Sequence, residues 1–178
     1  MLATVCRACV PLIALALMLP SVGQAQICRD DILASTPDSR FLINSDGTVH
    51  DTATDLIWKR CAEGQTDAGC AGDPTHYTWQ QALQLAAQAR FADYSDWRLP
   101  DINELQSIVE QRCFDPAINL RIFPNTRWWL WSASPRDSSR FQSSNPTFLV
   151  WAVNFYTGDV TTRSHNYGSA VRLVRGGP

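Results

Sequence analysis

The chain has 178 residues with 15 basic and 17 acidic side chains, a formal net charge of −2, and 45% hydrophobic and 18% charged residues. This composition, with seven Trp, excludes a disordered or collagen-like chain and supplies enough apolar volume for a core. With no overall basic surplus, no nucleic-acid partner is expected, and nothing implies a cofactor.

Residues 1–25 read as a signal peptide. Arg7 precedes the apolar run 10–19, and Gly23-Gln24-Ala25 places small residues at the two positions a signal peptidase reads. That run is too short to span a bilayer, and no later stretch approaches the roughly 20 apolar residues a spanning helix needs. Ile27 ahead of Cys28 suits lipoprotein processing poorly, so the remainder is expected as one domain, periplasmic or secreted, with no transmembrane segment once the signal is removed.

Four cysteines remain after removal of residues 1–25: Cys28, Cys61, Cys70 and Cys113. In an exported chain they read as two disulfides with three possible connectivities. Cys61 and Cys70 enclose a short polar segment without apolar periodicity and are paired locally, which leaves Cys28 with Cys113. No metal site is expected, since no Cys pair has zinc-knuckle spacing and no His accompanies one.

Residues 26–40 are polar, contain Pro37 and read as an irregular lead-in to a domain over 41–177. Residues 41–49 predict a hairpin around Asn44-Ser45-Asp46-Gly47, where Asp-Gly suits the positive φ of a tight turn. A strand follows at 56–60. Thr78 with Gln81 forms a capping box opening a helix to Arg90, with Trp79, Leu83, Ala86 and Ala89 on one face. Asp101 with Glu104 opens a second helix after Pro100, with Ile102, Leu105, Ile108 and Val109 as its buried stripe. Strands are then predicted at 128–133, at 148–155 and 160–163 around Tyr156-Thr157-Gly158-Asp159, and at 170–174. Residues 134–146 form a long Ser/Pro/Arg loop of the kind that often carries binding. Early helices and late strands give an α+β class with an antiparallel sheet.

Several blocks together resemble a known bacterial family, the C-terminal domain of the Legionella collagen-like adhesin. They are Gly47-Thr48-Val49 with residues 51–58, Tyr77-Thr78-Trp79, residues 95–100 running into 104–109, and Trp131-Ser132-Ala133-Ser134. Val153-Asn154-Phe155 with Gly158 and residues 171–176 complete the set. The resemblance covers most of the mature chain and implies a C-type-lectin-like fold: two helices flanking a small antiparallel sheet, with a long irregular loop region. The namesake binds sulfated polysaccharide, but this fold hosts sugar binding, protein binding, adhesion and at least one enzyme group, so the resemblance implies little about chemistry. The reading adopted is a non-catalytic binding domain with an adhesion-type role. No Gly-X-Y tract precedes the domain here, and trimeric adhesion is not carried over.

The basic residues are unevenly placed. Residues 26–120 hold seven basic and fifteen acidic side chains, a balance of −8; residues 121–178 hold seven and two, a balance of +5. Arginine can grip sulfate or carboxylate through paired hydrogen bonds, so Arg121, Arg127, Arg136, Arg140 and Arg163, with Trp128 as an aromatic neighbour, form the candidate site for an acidic polysaccharide. The competing reading is that the fold interleaves the two halves and pairs their charges. Arg98 and Arg172 lie inside the family blocks, read as buried partners of acids, and are left out of the patch. Trp97, Trp131 and Trp151 are expected in the core.

His50, His76 and His165 sit in turn-like surroundings and read as surface residues, and Asp101 with Glu104 reads as a cap rather than a catalytic acid pair. Phe123-Pro124-Asn125 and Ser144-Asn145-Pro146 lack the carboxylate of a calcium-dependent sugar loop. No catalytic residue is assigned. An assembly module touching another envelope protein through residues 128–146 is the second reading, and an oxidase-type enzyme on the same fold the third.

Overall fold

The structure, a computed structural model, describes residues 26–66, 68–136 and 148–176. The expected signal peptide, Arg140 and most of the 134–146 loop lie outside them. The described chain is α+β with three antiparallel sheets where the sequence suggests one.

The lead-in is more ordered than its composition suggests. Strand β1 (Ile27–Cys28) pairs with β5 (Cys113–Phe114), and a disulfide joins Cys28 to Cys113 across this pair. The Glu110 carboxylate is buried and accepts from the amides of Ser35 (3.0 Å), Thr36 (2.9 Å) and Arg112 (3.2 Å), and from the Thr36 hydroxyl at 2.8 Å. These bonds clamp the lead-in to the chain after the second helix.

Strands β2 (Phe41–Ile43), β3 (Thr48–Asp51), β4 (Leu56–Lys59) and β9 (Val174–Gly176) form a four-stranded sheet in that order. Gly47 takes φ +83° in the first turn, as Asp-Gly requires, and a Cβ there would meet the Phe91 ring at 3.0 Å. Asp51, buried at the end of β3, accepts from Arg40 through both carboxylate oxygens, from Thr54 Oγ1 at 2.8 Å and from the Ala53 amide at 3.1 Å. A second three-stranded sheet holds β6 (Trp129–Pro135), β7 (Leu149–Asn154) and β8 (Asp159–Ser164), with β7 central.

The helices cover opposite faces of the three-stranded sheet. Helix α1 (Trp79–Gln88) packs Ala82 and Ala86 with Trp97, Trp131, Val150 and Ala152; α2 (Ile102–Ser107) packs Leu105 with Leu130 and Val153. Both helices start with the capping boxes read from Thr78–Gln81 and Asp101–Glu104. Each ends early. Helix α1 stops two residues short of Arg90, and α2 stops at Ser107, so Ile108 and Val109 reach the core from irregular backbone. Period-2 alternation in β6 sends Leu130 to one core cluster and Trp131 to the other. Trp97 and Trp131 are buried; Trp151, expected in the core, is only half-buried.

Residues 170–174 read as a single closing strand, but they form a crossing instead. Ala170 bridges Leu130 of one sheet, whereas Val174 pairs with Trp58 of the other and bridges Arg98. Only residues 174–176 are a strand. Arg172, in the middle, is fully buried and bonds to the carbonyls of Lys59 (3.0 Å) and Arg60 and to Thr126 Oγ1 (2.7 Å), with its guanidinium 4.8 Å from the Phe123 ring. The expectation of an acid partner is therefore corrected for Arg172. Arg98 does have an acid partner, Glu104 at 2.7 and 2.6 Å, but its side chain is 42% exposed rather than buried.

Two predictions follow from this packing. Trp97 is 3% exposed and donates from Nε1 to the Phe91 carbonyl at 3.0 Å, so Trp97→Ala should lower stability by roughly 3–5 kcal/mol in chemical denaturation; a loss under about 1 kcal/mol would contradict its core position. Burial pushes the Asp51, Glu104 and Glu110 carboxyls up, but Arg40 at Asp51, Arg98 at Glu104 and the Thr36 bonds at Glu110 outweigh it, leaving all three below the usual carboxylate range. With folded pKa values below the unfolded ones, their stabilisation is complete above about pH 4.5 and is lost as pH falls through the folded values. Denaturant midpoints should therefore drop between pH 6 and pH 3, and the drop should shrink in Glu110→Gln; an unchanged drop would deny Glu110 this role.

Candidate functional site

Strand parity places the central side chain of the site. The β7–β8 register sets Arg163 opposite Val150 and Thr161 opposite Ala152, and Ala152 opposes Trp131 across β6. Arg163 therefore projects on the face that carries Trp129 and Trp131. Its guanidinium lies 4.6 Å from the Trp129 ring centroid and 5.5 Å from that of Tyr167, a cation resting on two aromatic rings. Arg163 is half-buried, its Nε finds no hydrogen-bond acceptor, and no carboxylate pairs with it among the described residues. Burial pushes this guanidinium down from its ordinary pKa, with Tyr167 opposing the shift.

A groove of about 230 Å³ is lined in part by Trp79, Phe148 and His165, the last two residues beyond Arg163. The Trp79 and Phe148 rings are 5.3 Å apart, and Phe148 meets His165 edge-on at 5.6 Å. Trp79 Nε1 donates to the Ser132 carbonyl at 2.9 Å, fixing the ring in place. Aromatic walls with a few polar edges are the usual lining of a small-ligand cleft.

The other expected site residues disperse. Arg121 is largely exposed and pairs with Asp38 at 3.0 Å, beside Asn119 and the lead-in. The next residues, Ile122 and Phe123, belong to the core cluster on the α2 side of the sheet, while Trp129 under Arg163 belongs to the α1 side. Trp128 is half-buried against the α2-side cluster and meets the His76 ring edge-on at 5.6 Å. Arg127 and Arg136 are half-buried, and the Arg136 amide donates to the Leu149 carbonyl at 2.8 Å. Arg140 lies outside the described residues. Trp129 and Tyr167 were absent from the sequence-based set. Parity across the Gly158 hairpin puts Arg163 on the Val150 face, but placing Trp129 there needs the β6–β7 register, and Tyr167 folds back from a turn that carries no such signal.

A search of curated proteins finds no match. The model of the Lcl C-terminal domain family matches residues 47–175, from the turn between β2 and β3 to the last strand and across Trp129, Arg163 and Tyr167, and the chain belongs to that family.

Proposed function

We propose that the protein is a secreted or periplasmic, non-catalytic binding domain of C-type-lectin-like type that recognises acidic polysaccharide in an adhesion-type role. The carrying observation is the half-buried Arg163 guanidinium, which lies on Trp129 and Tyr167 without a carboxylate partner among the described residues. A sulfate or carboxylate on a sugar would supply the missing counter-charge through charge-assisted hydrogen bonds. Trp79, Phe148 and His165 next to it offer aromatic surface to the adjoining ring. Two disulfides suit an oxidising compartment, and no helix of the described residues is long and apolar enough to cross a membrane. Family membership agrees with the adhesin-type reading.

Heparin chromatography tests the site. Wild type should be held at low salt and released as salt rises. Arg163→Gln should elute at distinctly lower salt, with affinity reduced about tenfold, the equivalent of ~1.4 kcal/mol. Its thermal unfolding should stay close to wild type, because Arg163 forms no ion pair among the described residues that the change would break. A neutral dextran column should retain neither. Equal elution of wild type and Arg163→Gln would remove Arg163 from the site, and failure of wild type to bind any polyanion would favour contact with an envelope protein.

A further inference from the structure

A cavity of about 690 Å³ lies away from Arg163, lined by the Asn44–Gly47 turn, the end of β4, Cys61, Gln65, Ala68 and Phe91. Its volume falls within the range of small-molecule sites. Ile43, 47% exposed, and Phe91 give it apolar walls, and Cys61, bonded to Cys70, lines it as well. The Lys59 ammonium is held by Glu63 at 2.8 Å and lies over the Phe91 ring at 4.6 Å.

Arg60 differs from Lys59. It donates from Nε to the Ile122 carbonyl (3.0 Å), from Nη1 to that of Ala68 (2.6 Å) and from Nη2 to that of Arg121 (3.1 Å). A guanidinium has five N–H groups, so one remains on each terminal nitrogen. Carbonyls satisfy hydrogen bonds without cancelling charge, and no carboxylate pairs with Arg60 among the described residues. Arg172, which bonds to the Lys59 and Arg60 carbonyls, adds a second guanidinium behind it. Asp46, on the turn, has Oδ1 filled by the Thr48 amide (2.9 Å) and hydroxyl (2.7 Å), and its charge opposes a second anionic group in the cavity.

We infer that this cavity is a second binding site, for a small organic mono-anion whose apolar body packs on Ile43 and Phe91 while its carboxylate or sulfonate is held by Arg60. The site is separate from the polysaccharide surface and selects against it: one negative charge is matched by Arg60, and a polyanion meets Asp46.

Fluorescence titration with 8-anilinonaphthalene-1-sulfonate tests this on the intact protein, with uncharged N-phenyl-1-naphthylamine as the comparison probe. Wild type should bind the sulfonate saturably at one site and the neutral probe more weakly. Arg60→Gln should weaken sulfonate binding about tenfold, the loss of one charged contact. Ala68→Trp, at an exposed lining position whose carbonyl is untouched, should block the cavity and serves even where Arg60→Gln fails to fold. Asp46→Asn keeps the Oδ1 acceptor and should tighten binding, while Arg163→Gln should leave it unchanged. Absence of saturable binding to wild type, or binding by Ala68→Trp equal to wild type, would overturn the site. Loss in Arg163→Gln matching that in Arg60→Gln would place the probe on the polysaccharide surface instead and equally overturn it.

Discussion

Burial of a charged guanidinium at position 172 is the constraint that the rest of the structure accommodates. Desolvation lowers the Arg172 pKa to about 9, still high enough to keep it charged at neutral pH. Such a charge is costly inside a protein unless most of its donors are met. The Lys59 and Arg60 carbonyls accept from Nη1 at the end of β4 and Thr126 accepts from Nη2 on the approach to β6, while Nε is buried without a partner. Arg172 thus ties both sheets to the chain segment passing between them. The neighbouring residues behave accordingly: Val171 accepts from the Glu63 amide at 2.8 Å, Leu173 from the Lys59 amide at 2.9 Å, and residues 169–174 are all buried. A continuous strand through this segment would pair with one sheet and abandon the other.

This arrangement also determines where a ligand can reach. With α2 filling one face of the three-stranded sheet, the crossing segment contributing to both core clusters and α1 covering part of the other face, accessible aromatic surface gathers on the α1 side, towards β8. Trp131 is sealed there, its Nε1 donating to the Tyr77 carbonyl at 2.8 Å, while Trp129, two residues earlier on the same face, is left partly open under Arg163. Identical residue types on one strand face thus divide between core and site according to how far α1 extends over them.

Local signals were legible in the sequence and long-range ones were not. The two capping boxes, the Asp-Gly turn and the Gly158 hairpin each depend on residues within a few positions of one another, and each appears in the structure. The lead-in could not be read because Glu110, which organises Ser35 and Thr36, lies some 75 positions away and looks like an ordinary acid at the end of a helix. The crossing at 170–174 was hidden for a related reason: Val171-Arg172-Leu173-Val174 alternates like a strand, and only the partners across the fold reveal that its hydrogen bonds go to two sheets. Of the candidate site, Arg163 was named from composition, but its aromatic partners required the strand register.

The charge asymmetry of the chain can be followed to its ends. Arg121 pairs with Asp38, and Arg175 pairs with Asp96 at 2.8 Å while lying 3.7 Å from the Tyr94 ring centroid. Arg172 is spent on carbonyls of the acidic half. The +5 balance after residue 120 is therefore in part an interleaving of halves rather than a surface, because three of those cations are committed to residues before it. Of the cations with no carboxylate partner among the described residues, Arg172 is sealed by the fold, whereas Arg60 and Arg163 keep access to solvent. A buried guanidinium met by carbonyls can serve only structure; one that is half-buried, on aromatic surface or at a cavity wall, holds its charge where an anion can still approach, and it is this difference in access rather than arginine content that separates scaffold from site.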